Sequence, residues 1–295
     1  MTDIAVLERF ARVTPLGVRL LDVATGSFVT DGLTANAYPR VDPERRTQAI
    51  ANRASVFVFN GLPGLSDVER GSGDETYWAG QVPRYPFVLD VQDTQGRFLP
   101  FTLDVILPVR RLLTFGFGSP LASPLSSPLA AADRWLPLYS SPARPLLDGM
   151  GAVRAEIVDS GTGQPAAWAL LEATGPGQPI AIGMADAGGR VFLPLAYPKP
   201  IVTLGSPGSP SLPITSQAWT IDFTVRYSRA ATIQASPDLA ATFAQPAATA
   251  WQDAARTTPL TQATLRFGRE LVLASLTATG EPSPTLLITP AVSPL

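Results

Sequence analysis

DAGGRVFLPL, residues Asp186–Leu195, has an echo earlier in the chain: DTQGRFLPF, Asp93–Phe101. Each stretch opens on aspartate, places Gly-Arg at its fourth and fifth positions, and runs into an apolar segment containing a proline. Asp-x-x-Gly suits a short connection in which glycine takes the left-handed conformation that closes a hairpin. The apolar runs on either side, PFVLDV before the first and IAIGMA before the second, then read as strands. Both stretches are therefore predicted to be β-hairpins.

Reading outward strengthens this. Thirty prolines, about twice the ordinary frequency of roughly 5%, and 24 glycines cut the chain into short apolar runs, which disfavours long helices. GVRLLDV (17–23), SVFVFN (55–60), AVRAEIVD (152–159), AAWALLEA (166–173) and TLLIT (285–289) read as strands, and ATLRFGRELVLAS (263–275) as a further apolar run. AWTIDFTVRY (218–227) alternates cleanly: Trp219, Ile221, Phe223, Val225 and Tyr227 share one face. DPERRTQAIANRA (42–54) suits a helical turn or a long loop, and the Ala-rich stretch 237–256 suits a helix broken at Pro246. A Ser-Pro-Leu unit recurs at Ser119, Ser123 and Ser127, the composition of an extended linker.

A second echo joins the first. VRLLDVATG from Val18 corresponds to VRAEIVDSGTG from Val153, each preceding an Asp-x-x-Gly-Arg turn. Duplication of one module and chance recurrence of a common turn both account for this, and the extra Val191 of the second copy implies a bulge or a shifted register. The expected fold is all-β: two immunoglobulin-like or prealbumin-like β-sandwich domains joined by a Pro/Ser-rich linker. The divisions are an N-terminal sandwich over 1–114, a linker over 115–143, and a C-terminal sandwich with an extended tail over 144–295.

Composition excludes several chemistries. The chain has no His and no Cys, and its only lysine is Lys199. Imidazole-based triads, thiolate nucleophiles and zinc–thiolate sites are thereby ruled out. No S-x-x-K or phosphate-loop pattern is present. A net charge of −2 gives no attraction to nucleic acid. The uncharged runs 112–132 and 200–221 are interrupted by proline and serine, so membrane insertion is not expected. The first residues carry acids and no continuous apolar segment, so cytoplasmic assembly without a signal peptide is expected.

The loop LSDVERGSGDETYW (65–78) concentrates Asp67, Glu69, Asp74 and Glu75 beside Tyr77 and Trp78. Clustered carboxylates could bind Ca²⁺, but the D-x-D-x-D-G spacing is missing. Two of the acids could form a glycosidase pair with the aromatics stacking on sugar. Against both stands a solvated acidic loop anchored by Tyr77 and Trp78. These residues are retained as a candidate interaction loop, with no catalytic residue, cofactor or metal assigned.

Two resemblances follow from motifs. EIVDSGTGQPAAWALLEA with MADAGGRVFLPL resembles the carboxypeptidase regulatory-like family of prealbumin-like sandwiches, an accessory module without peptidase chemistry. RASVFVFNGLPGLSDVERGSGDETYWAG with RYPFVLDVQDTQGRFLPFTLDVILPVR resembles an uncharacterised protein type found with extracellular contractile injection systems, which are phage-tail-like particles. The second resemblance implies a structural part of such a particle, released with it, whose partners are other protein subunits. A carbohydrate- or cell-surface-binding module is the alternative expectation.

Overall fold

The computed structural model describes residues 13–71, 78, 83–109, 112–113, 135–199, 213–230 and 235–291. Strands dominate, as expected for an all-β protein, and no helix among the described residues is long and apolar enough to cross a membrane. The first half contributes β1 (Leu16–Val18), β2 (Leu20–Asp22), β3 (Ser27–Phe28), β4 (Leu33–Pro39), β5 (Thr47–Gln48), β6 (Ile50–Ala51), β7 (Phe57–Phe59), β8 (Tyr85–Asp93) and β9 (Phe101–Leu107). A single helical turn, α1 (Ser66–Glu69), lies between β7 and β8. The chain continues through β10 (Leu136–Leu138), β11 (Met150–Asp159), β12 (Leu170–Thr174), β13 (Ala181–Met184), β14 (Arg190–Ala196) and β15 (Ala218–Arg226). It ends with α2 (Leu239–Phe243), β16 (Ala247–Ala250), β17 (Gln262–Arg266), β18 (Leu271–Leu273) and β19 (Leu286–Pro290).

In the first module a sheet of order β5-β4-β8-β9 accompanies two three-stranded sheets, β1-β7-β6 and β10-β2-β3. In the second, β11 belongs to two layers. Its first part pairs with β14 and β18, and its end pairs with β19, which continues through β16 and β15 to β12 and β13. A strand that changes layers closes the edge of a sandwich. The alternation expected of β15 is observed: Trp219, Ile221, Phe223, Val225 and Tyr227 are buried, while Thr220, Asp222 and Thr224 face outward.

Each module closes in the same way. Its early strand is hydrogen-bonded in parallel to its last strand: β2 to β10 with Leu20 opposite Leu136, and β11 to β19 with Ile157 opposite Leu286. The stretch assigned to the linker thus divides. Residues 114–134, including the Ser-Pro-Leu units, lie outside the described residues. Trp135 to Ala143 does not act as a spacer, because Leu136 and Leu138 are fully buried and β10 completes the sheet of β2.

Three local expectations change. Between 42 and 54 the chain forms β5 and β6 within a loop, not a helical turn, because Gln48 and Ile50 find strand partners in β4 and β7. The strand expected from Ala166 begins at Leu170, because 166–169 make a turn closed by Ala169 N–H to the Ala166 carbonyl (3.2 Å). The Ala-rich stretch is helical only over α2, capped by Asp238 accepting from Ala241 N–H (2.7 Å). After Pro246 it becomes β16, since pairing to β15 and β19 outweighs alanine's weak helix preference.

The modules share an apolar seam. Trp168, Leu170, Ile182, Met184 and Leu239 of the second half lie in one continuous core with Leu16, Phe59, Phe101 and Tyr139 of the first. Pro237 accepts from Thr102 N–H of β9 (2.9 Å), and Phe243 of α2 packs on Tyr139 with ring centroids 5.9 Å apart. Trp168 adopts φ 61°, an uncommon value for a bulky residue. Its ring is buried, its N–H donates to the Asp186 carbonyl (3.4 Å), and its carbonyl accepts from Gln245 Nε2 (3.0 Å), which together hold that conformation.

The two echoing turns are closed by the same local device, but only the first makes the expected hairpin: β8 pairs with β9, whereas β13 and β14 meet at the single Ala185–Val191 bridge and pair with β12 and β11 respectively. In each, the aspartate carbonyl accepts from the glycine N–H three residues on, at 3.2 Å for Gly96 and 3.0 Å for Gly189. In each, that glycine has positive φ, and the aspartate carboxylate takes both the N–H and the guanidinium of the arginine that follows. Their surroundings differ. A Cβ on Gly96 would meet nothing within 4 Å, whereas one on Gly189 would lie 2.4 Å from the Ile157 carbonyl oxygen. Gly96→Ala should therefore cost about 1 kcal/mol, the usual left-handed penalty. Gly189→Ala should cost several times more, because backbone must move. Urea denaturation of the two variants checks this, and equal losses would contradict it.

Candidate functional site

Of the interaction-loop residues, Asp74 and Tyr77, with Glu75, lie outside the described residues. Asp67 is exposed on α1 and Trp78 is half-buried. Glu69 is buried, and its Oε1 accepts from the backbone N–H of Gly61 and of Leu62 (3.3 Å). Its carbonyl accepts from Val13 N–H (3.0 Å). Glu69 thus pins the NGLPGL turn to α1 and is occupied by backbone donors, unlike the exposed Asp67 two residues away. Among the described residues, no three acidic side chains converge as a metal site requires.

The charged groups that do converge are Asp–Arg pairs at the strand ends. Asp22 ends β2, and its carboxylate receives Ala24 N–H (3.0 Å), the Thr25 hydroxyl (2.9 Å) and both terminal nitrogens of Arg144 (3.0 and 2.6 Å). Arg144 also donates to Ser140 Oγ (2.8 Å) and lies 4.8 Å above the Phe98 ring. Burial pushes the Asp22 carboxyl up, but Arg144, Thr25 and Ala24 together bring it below its ordinary value. Asp159 repeats the pattern at the end of β11, with Gly161 N–H (2.9 Å) and a bidentate Arg229 (2.6 and 3.1 Å). Its carboxyl is lowered chiefly by Arg229. Asp93 is also lowered, burial being outweighed by Arg97 and by backbone N–H groups.

Beside the first of these pairs lies a cleft of about 240 Å³ between the modules. The turn 23–26, Trp135 and Tyr139 line one side, and the turn 175–182 and the Phe192–Ala196 side of β14 line the other. Among the described residues that line it, the one titratable side chain is Tyr139, whose pKa burial pushes well above the tyrosine range, with the Glu172 carboxylate adding to the effect. Such a lining can hold an aromatic or aliphatic group, and Tyr139 itself does not give up its proton near neutral pH.

Open sheet edge is the other asset. Thr102 N–H points away from β8 to Pro237, so alternate residues Asp104 and Ile106 also direct their backbone groups outward. Among the described residues nothing pairs with those groups. Ile106 is 53% exposed, and its neighbour across the strand pair, Pro86, is exposed too. On the second module Val272 of β18 is 62% exposed. The Asp104 carboxylate is tied sideways to Arg40 (2.8 Å). These edge residues were missed from sequence because alternation marks a strand without telling whether it lies centrally or at an edge.

Arg144→Met should destabilise the protein by about 3–5 kcal/mol in urea denaturation, since Asp22 is left buried and unpaired. The double variant Asp22→Leu/Arg144→Met should recover most of that, and no recovery would contradict the account. Acid sensitivity follows from the lowered carboxyls. The unfolded chain holds more protons than the folded one only below about pH 4, so stability should be flat from pH 8 to 5 and fall as pH drops through the folded values. Without histidine no ordinary side chain titrates in the flat range. Thermal melts across pH 2–8 test this, and a midpoint already falling between pH 7 and 5 would refute it.

No family model matches the chain, and no curated protein matches it. Among solved structures, a candidate adhesin from Bacteroides ovatus ATCC 8483 is similar over 96% of this chain and 95% of its own, at 9% identity and a TM-score of 0.21. The shaft pilin SpaA from Lactobacillus rhamnosus GG is similar over 95% of this chain and 98% of its own, at 7% identity and a TM-score of 0.22. Likeness of that degree assigns no role to any residue of this chain.

Proposed function

We propose that this chain is a non-enzymatic structural component of a phage-tail-like contractile injection particle, acting through protein–protein contacts. The observation that carries the reading is the edge of β9, where among the described residues nothing pairs with the outward backbone groups of Asp104 and Ile106 and apolar side chains are exposed beside them. A neighbouring subunit's strand can extend such an edge. Two further features support it. The modules are fused through a common core, which suits a rigid building block. The charged fraction is only 16%, which suits surface that becomes buried. The first-half motifs, FVFNGLPGL through LPVR, point to the particle itself, and the two Asp-led turns of the second half suit the carboxypeptidase regulatory-like type. Assembly would take place in the cytoplasm, with release as part of the particle.

Sedimentation tests the reading. The protein should travel with sheath and tube in a particle preparation, and Ile106→Asp should reduce that fraction at least tenfold, a burial penalty of about 1.4 kcal/mol or more. Recovery only as a free monomer, with particles intact in its absence, would overturn it.

A further inference from the structure

We infer that both modules are built to carry tension along the chain, each through the parallel ladder that joins its early strand to its last. This deepens the structural reading above, on which its biological sense rests; the mechanics stand on geometry alone.

In a parallel pair both strands start at the same end. Tension drawn through a module enters its early strand at the strand's start and leaves its last strand at the strand's finish. The two strands are then pulled in opposite directions along their own axes, and the hydrogen bonds between them are sheared together. An antiparallel hairpin pulled at its open end instead loses its bonds one after another. The first module meets the shear condition with β2 against β10, including Leu136 N–H to the Arg19 carbonyl (2.8 Å) and Val23 N–H to the Leu138 carbonyl (3.4 Å). The second meets it with β11 against β19, extended by Ser160 N–H to the Ile288 carbonyl (2.8 Å) and by Ser160 Oγ to Thr289 Oγ1 (2.9 Å). β18 adds a second parallel partner to β11.

The Asp22–Arg144 pair sits where this tension concentrates in the first module. Arg144 follows β10 directly on the route to the second module, and it grips the carboxylate at the finish of β2. Sliding β10 along β2 must break that buried bidentate pair together with the ladder. Asp159 stands at the finish of β11, but its partner Arg229 follows β15 and so ties β11 to the body of the sheet, not to β19. The seam leaves little slack between the modules, because Arg154 of β11 donates to the Pro142 carbonyl (3.0 Å) and stacks on Phe192 at 4.1 Å.

Single-molecule force spectroscopy on the full chain tests this. The chain has no cysteine, so introduced cysteines are unique attachment points. One form is held through its two chain ends. The other is held through Tyr85→Cys and Ile106→Cys, exposed positions near the open end of the β8–β9 hairpin. The end-to-end form should unfold at a force at least about twice that of the hairpin form, at equal loading rate, because forced unfolding reports the barrier along the pulled direction. Arg144→Met, or Arg144→Lys should the first variant not fold, should lower the end-to-end force and leave the hairpin force unchanged. Equal forces in the two geometries, or an end-to-end force indifferent to Arg144, would overturn the inference. A chain that passes this test yet fails to sediment with particles would overturn the assembly reading alone.

Discussion

A buried carboxylate must be given donors, and that requirement organises this protein. Asp22 is withdrawn from water at the end of β2 and would be strongly destabilising if left alone. Its own turn supplies an N–H and a hydroxyl, but only Arg144 completes the set. Arg144 comes from beyond β10, so satisfying one side chain ties the first module's opening strand to its closing one. The same guanidinium rests on Phe98, two residues after the Gly96 turn, and so draws the Asp93 hairpin to the same place. In the second module Asp159 at the end of β11 is held instead by Arg229, which follows the central strand β15 and not the closing strand β19.

The use of arginine acquires a reason here. Every basic residue except Lys199 is arginine. Arg97, Arg144, Arg190 and Arg229 each meet an aspartate through more than one nitrogen, and Arg154 lies flat on an aromatic ring. A planar fork can do both, whereas a lysine ammonium offers neither the second parallel bond nor the stacking face. The guanidiniums therefore serve mainly to hold turns and strand ends, not to form a basic surface. That agrees with a net charge near zero and with a seam cleft in which, among the described lining residues, the one titratable group is a buried tyrosine.

Legibility followed the range of the interactions. The Asp-x-x-Gly-Arg turns could be read because everything they need lies within five residues, and β15 could be read because its alternation is local. In sequence Glu69 reads as one acid of an exposed loop; the donors that bury it, Gly61 and Leu62, precede it across a turn that composition does not fold. β10 was hidden in a proline- and serine-rich stretch. Its burial depends on β2, more than a hundred residues away in the chain. The Ala-rich stretch was read as helix by propensity, and strand pairing overrode it beyond Pro246.

By itself the sequence determined the class of the protein, its Asp-x-x-Gly-Arg turns and the exclusion of imidazole and thiol chemistry, because these rest on residue identity and short-range backbone geometry. Tertiary structure decided which arginine meets which aspartate, which strands close each module in parallel, and that the two bodies share a core through Trp168 and Leu239. It also decided that, among the described residues, β9 has no strand partner on the side facing away from β8 beyond the bridge at Thr102. Such matters turn on pairings between distant segments, and those are selected by the burial of whole faces, which no short stretch of sequence contains.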